Sequence, residues 1–93
     1  MSQKGSRAFS TNIEQIRAAR ALLGWSQTQL AEQAGLSLPT VKRVESGEGP
    51  RVSNEARFSL RKALEVAGVE FIDENGGGVG VRLRKRQRAK KPK

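Results

Sequence analysis

The feature that leaves this chain fewest choices is the placing of serines and glycines between Trp25 and Gly47, WSQTQLAEQAGLSLPTVKRVESG. A helix is helped by an acceptor side chain before its first turn and by a left-handed residue after its last. Ser26 precedes Leu30, Ala31 and Ala34 at helical spacing, and Gly35 follows them; Ser37 then precedes Val41 and Val44, and Gly47 follows. Only Leu36 stands between the first stop and the second start, so the segment is restricted to two short helices and a tight turn. Gln29, three residues after Ser26, completes a capping box, and Trp25 and Leu36 are placed to staple against Leu30 and Val41. Pro39 falls in the first turn of its helix, where a missing N–H costs nothing.

The flanking sequence is punctuated in the same way. Thr11 and Glu14 read as a capping box, Ile13, Ile16, Ala19 and Leu23 follow at helical spacing, and Gly24 is a stop. After a loop at Glu48-Gly49-Pro50-Arg51, Ser53 or Asn54 caps a longer helix with Ala56, Leu60, Ala63, Leu64 and Ala67 on one face, closed by Gly68. The expected helices span about 12–23, 27–34, 38–46 and 54–67. Beyond Gly68 the apolar period changes to two, in Val69-Glu70-Phe71-Ile72 and Val79-Gly80-Val81-Arg82-Leu83, which predicts a β-hairpin over 69–83. Pairing Val69 with Leu83 and Phe71 with Val81 collects the apolar side chains on one face, whereas a one-residue slip mixes them. That register requires an odd loop, of three or five residues centred on Gly76. The glycine run is not a phosphate loop, because neither Lys-Ser/Thr nor a helix follows it.

Composition narrows the chemistry. Ninety-three residues suit one small domain, and only 35% are apolar, so the core is thin. Cysteine, histidine and tyrosine are absent, which excludes disulfides, thiolate metal sites and imidazole catalysis. Glu70, Asp73 and Glu74 are the only clustered carboxylates, and a hairpin loop holds a metal poorly without further ligands. No metal, no cofactor and no enzymatic activity are expected. The net charge of +9 is concentrated in RLRKRQRAKKPK, Arg82 to Lys93, which has eight Lys/Arg and no acidic residue. Such a tail points to a polyanion, nucleic acid or acidic lipid. Residues 1–10 read as a flexible arm and 84–93 as a disordered basic tail. No stretch has the length of a signal peptide's apolar core or a membrane span, so a cytoplasmic, nucleoid-associated location is expected and a membrane is not.

Two helices, the second with a free face, are what a groove about 12 Å wide accepts. With Val41 inward, a helical wheel puts Pro39, Arg43 and Ser46 outward and Thr40 and Lys42 at the flanks. Lys42, Arg51 and Arg57 suit phosphates rather than bases. The run Gln27-x-x-Leu30-Ala31-x-x-Ala34-Gly35-Leu36-Ser37-x-x-Thr40-Val41-x-x-Val44-Glu45-x-Gly47 resembles the Xre family, the phage Cro/repressor-type helix-turn-helix regulators. The resemblance covers Thr11 to about Ala67 and implies a mainly α fold: a four-helix helix-turn-helix domain over 11–68, then the β-hairpin and the tail. It further implies base or adjacent phosphate contacts by Ser37, Leu38, Pro39, Thr40 and Arg43, and a phosphate contact by Gln27. Lys42, Ser46 and Arg51 complete the expected phosphate set, and Arg20 and Glu45 match a family pair joining helix one to helix three. Leu38 and Pro39 stand where glutamine is frequent in the family, so apolar contact with a thymine methyl replaces adenine readout and Arg43 becomes the main hydrogen-bonding reader. The expected activity is sequence-specific binding of double-stranded DNA by a dimeric repressor, with residues 69–83 as the dimerisation element. The alternative is an antitoxin that regulates its own promoter and binds a toxin.

Overall fold

The computed structural model describes residues 11–47 and 54–84; the amino-terminal arm, the loop with Arg51, and the tail from Lys85 onward lie outside the described residues. Four helices, α1 (Ile13–Leu23), α2 (Gln27–Ala34), α3 (Leu38–Ser46) and α4 (Asn54–Val66), precede two strands, β1 (Val69–Ile72) and β2 (Gly80–Leu83). The strands form an antiparallel hairpin.

The boundary chemistry is local. Ser26 Oγ accepts from the Gln29 N–H while Gln29 Oε1 accepts from the Ser26 N–H, closing the capping box on α2. Ser37 Oγ accepts from the Thr40 N–H and begins α3. Between them Gly35 is left-handed, at φ 71°, a conformation open to glycine at little cost. It turns the Leu36 N–H back onto the Ala31 carbonyl at 3.0 Å, which satisfies an orphan carbonyl of α2 and aims the chain into α3.

At α1 the cap lies one residue later than the sequence suggests. Asn12, not Thr11, is extended and accepts from the Gln15 N–H, and Gln15 Oε1, not the Glu14 carboxylate, accepts from the Asn12 N–H. Thr11 is unavailable as a cap because tertiary structure claims it. Its hydroxyl accepts from Arg61 Nη1 at 2.7 Å and its carbonyl from Arg57 Nη1 at 3.4 Å, both on α4.

The hairpin has the register expected from burial: Val69 opposite Leu83, Glu70 opposite Arg82, Phe71 opposite Val81 and Ile72 opposite Gly80. Its loop is longer than three or five residues, running over the seven positions 73–79 about Gly76. Side chains replace ladder bonds there: Glu74 Oε2 accepts from the Gly76 and Gly78 N–H groups, and Asn75 Oδ1 from that of Gly77. On the outer face Glu70 and Arg82 pair at 3.0 Å, and the hydrogen bond and charge of Arg82 hold the Glu70 carboxyl below its ordinary pKa. Order also extends past the expected start of the tail. The Arg84 N–H donates to the Gly68 carbonyl, and its guanidinium donates to the Glu65 carbonyl.

One core joins helices and hairpin. Ile16 and Ala19 of α1, Leu30 and Ala31 of α2, Val41 and Val44 of α3, and Ala56, Leu60 and Leu64 of α4 are buried together with Val69 and Phe71 of β1. Each large side chain so buried contributes roughly 1.5–3 kcal/mol. The hairpin is thus part of the domain rather than an appendage. Leu83, assigned by alternation to the same apolar face, is 44% exposed at the last position of β2.

Gln15 secures the other end of the hairpin. Its side chain is buried, and Nε2 donates to the Ile72 carbonyl at 3.2 Å and to the Gly80 carbonyl at 3.0 Å, the last pair before the loop. Leucine at this position removes the donor from a buried polar cluster. We expect Gln15→Leu to cost about 1–3 kcal/mol, measured by thermal unfolding, with amide exchange quickening first in the hairpin. Unchanged protection of the β1–β2 amides would show that packing alone holds the hairpin.

Candidate nucleic-acid interface

The orientation of α3 is set by one buried carboxylate. Glu45 lies next to the last residue of α3, a position where the helix dipole disfavours an anion, so tertiary contacts must keep it there. It is 3% exposed and accepts from three side-chain N–H groups: Arg20 Nε at 2.8 Å, Arg20 Nη2 at 2.9 Å and Gln27 Nε2 at 2.9 Å. Arg20 is itself largely buried, and its Nη1 donates to the Trp25 carbonyl at 3.0 Å. Arg17, also on α1, donates from Nη1 to the Glu45 carbonyl at 2.8 Å. The cluster ties α1, the turn before α2, the first residue of α2 and the carboxyl end of α3 into one rigid unit. A forked guanidinium against a carboxylate constrains both distance and angle, which a point-charged lysine does not.

With α3 so held, Val41 and Val44 are in the core while Pro39, Lys42, Arg43 and Ser46 are exposed; Leu38 and Thr40 lie at the edges, half-buried. The side chains expected to meet DNA differ in how free they are. Among the described residues the Arg43 guanidinium makes no hydrogen bond and faces solvent from the last turn of the helix. Ser37 and Thr40 are bonded to each other through their hydroxyls at 2.9 Å, with Ser37 also serving as the cap. The Ser46 hydroxyl donates to the Arg43 carbonyl at 3.0 Å. Gln27 gives one amide hydrogen to Glu45 and retains a second, beside the amino end of α2. Arg51 lies outside the described residues.

Sequence reasoning singled out Arg20 and Glu45 but missed Arg17 and the engagement of Gln27 by Glu45. Arg17 stands three residues before Arg20, on the neighbouring turn of one helix face, which was the available signal. Nothing in the sequence indicates that its partner is a helix-end carbonyl.

Among the described residues no helix is long and apolar enough to cross a membrane. Comparison with known proteins agrees with the geometry. The helix-turn-helix family model matches residues 16–69, from within α1 to the first residue of β1. A protein of Pyrococcus furiosus, named as a candidate HTH-type transcriptional regulatory protein, is 34% identical over 73 residues. That match takes in 78% of this chain but 23% of the relative, so the chain spans about a quarter of that protein's length. Two capped helices about a left-handed glycine, a second helix presenting a polar face, and the family match together place the chain. It belongs to the Cro/repressor-type (Xre) helix-turn-helix family, a non-enzymatic family of DNA-binding transcription regulators.

Proposed function

We propose that the chain is a dimeric repressor that binds double-stranded DNA with α3 in the major groove. The observation that carries this reading is the exposed, unpaired Arg43 on a helix whose angle is locked by Glu45. A guanidinium held on a rigid helix can make the two parallel bonds to guanine that distinguish it from other bases. Leu38 and Pro39 beside it have no hydrogen-bonding side-chain atoms and suit a thymine methyl; Ser37 and Thr40 reach adjacent groups from the start of α3. Gln27, Lys42, Ser46 and Arg51 contact phosphates, which fix register without carrying sequence information.

Selection from random duplex DNA tests this. Arg43→Ala is expected to weaken binding by about 1–3 kcal/mol and to relax preference at one base pair of each half-site. An unaltered selected sequence would remove Arg43 from the role of reader.

Dimerisation through the hairpin is supported by the phase of its ladder. The bond from the Arg84 N–H to the Gly68 carbonyl makes alternate pairs, Glu70–Arg82 and Ile72–Gly80, the bonded ones. Val81 and Leu83 then direct their N–H and C=O groups away from β1, toward the outer edge of β2. A second copy added at that edge would satisfy those groups, and two-fold helix-turn-helix dimers read half-sites about one DNA turn apart.

A further inference from the structure

We propose that Asn75 is a built-in site of spontaneous succinimide formation, which converts it to aspartate and isoaspartate as the folded protein ages. The reaction is attack by the following residue's backbone nitrogen on the asparagine side-chain carbon, and a following residue without Cβ hinders it least. Of the three asparagines, Asn12 precedes Ile13 and Asn54 precedes Glu55, both at helix starts. Asn75 precedes Gly76 in the exposed hairpin loop.

The loop also positions polar groups for the chemistry. Glu74 Oε2 accepts from the Gly76 N–H at 3.0 Å, so a carboxylate sits on the proton that the attacking nitrogen must lose. The Gly77 N–H donates to Asn75 Oδ1 at 3.3 Å, the oxygen that gains negative charge as the tetrahedral intermediate forms. The Gly78 N–H, 3.3 Å from the same Glu74 oxygen, keeps that carboxylate turned into the loop. Nucleophile, base and oxyanion donor are therefore contributed by neighbouring residues of one loop.

Gly76 N bonds to Asn75 Cγ as its proton passes to Glu74. The Cγ–Nδ2 bond then breaks, and the nitrogen departs as ammonia carrying that proton. Water opens the succinimide ring at either carbonyl, leaving an α-linked aspartate or a β-linked isoaspartate. One water is consumed and one ammonia released. Each product adds a negative charge beside Asp73 and Glu74, and isoaspartate also adds a backbone carbon between the two strands. The change falls on the hairpin, outside α2 and α3.

The test is to hold the full-length protein at neutral pH and physiological temperature, sampling it by peptide mapping that separates asparagine, aspartate and isoaspartate. Conversion is expected at Asn75 and not, over the same interval, at Asn12 or Asn54. It should be faster in the folded protein than in urea. Glu74→Gln should slow the folded reaction roughly tenfold, below the roughly 10²–10⁴-fold of evolved general bases, and abolish the folded-state advantage. The pH profile adds a second readout: the Glu74→Gln rate should depend more steeply on hydroxide than the wild-type rate does. Equal or slower reaction in the folded protein would overturn the proposal, as would a Glu74→Gln rate equal to or above wild type. Should Glu74→Gln disorder the loop, the comparison of folded and urea-unfolded wild type decides alone.

Discussion

Alanine in place of Glu45 is expected to cost about 3–5 kcal/mol of folding stability, because it removes the buried carboxylate of an ion pair and leaves the Arg20 charge without its partner. Arg20, 24% exposed, would keep only its bond to the Trp25 carbonyl, and Gln27 would lose its acceptor. Domains of this kind have total stabilities of roughly 5–15 kcal/mol, so the variant should be substantially unfolded at moderate temperature. Urea unfolding of wild type, Glu45→Ala, Arg20→Ala and the double variant measures the effect and apportions it. The cycle should give a coupling of roughly 0.5–3 kcal/mol, as for groups in direct contact. A cost for Glu45→Ala below about 1 kcal/mol, the range of exposed pairs, would mean that the cluster is structurally incidental. Stabilised by low temperature, the folded fraction should still bind DNA less well, since of this cluster α3 would keep only the Arg17 bond to its backbone carbonyl.

The second large effect concerns salt. If six to ten cations meet phosphates, affinity for DNA falls about 10³–10⁵-fold between 50 and 200 mM salt. The described domain supplies few of these cations. Arg20, Arg61, Arg82 and Arg84 are committed to Glu45, to Thr11 and Glu65, to Glu70, and to the Glu65 carbonyl respectively. Lys42 and Arg43 face outward, while residues 85–93 add six more Lys/Arg by sequence. Deleting residues 85–93 is therefore expected to lower affinity strongly, to flatten the plot of log affinity against log salt by up to about five, and to leave sequence preference intact. Titrations of a selected duplex across salt concentrations check this. An unchanged slope would show that the tail does not engage phosphate, and loss of preference would give it a role in reading.

The difference between what was legible in advance and what was not follows the range of the interactions. Caps and stops are contacts over three to five residues, so Ser26–Gln29 and Gly35–Leu36 carry their geometry in the local sequence. The hairpin register was legible for a related reason: side chains alternate faces, and only one pairing places Val69, Phe71 and Val81 together. Thr11 shows where this reasoning ends. As a hydroxyl three residues before Glu14 it has the local pattern of a cap, yet Arg61, 50 positions away, takes the hydroxyl. The loop length failed similarly, because the ladder stops where Gln15 of α1 reaches the Ile72 and Gly80 carbonyls.

The candidate interface divides along the same line. That α3 exists, that Val41 and Val44 face inward and that Arg43 faces outward were all determined by the order of residues, through helical periodicity. Tertiary structure decided how tightly that helix is aimed. Glu45 collects Arg20 and Gln27 from 25 and 18 residues away, and Arg17 adds a bond to its carbonyl from 28. No local preference predicts such bonds, since an anion near a helix's carboxyl end is locally unfavourable and becomes stable only when cations from another helix surround it. The hairpin likewise belongs to the domain because Val69 and Phe71 complete a core too small to close without them.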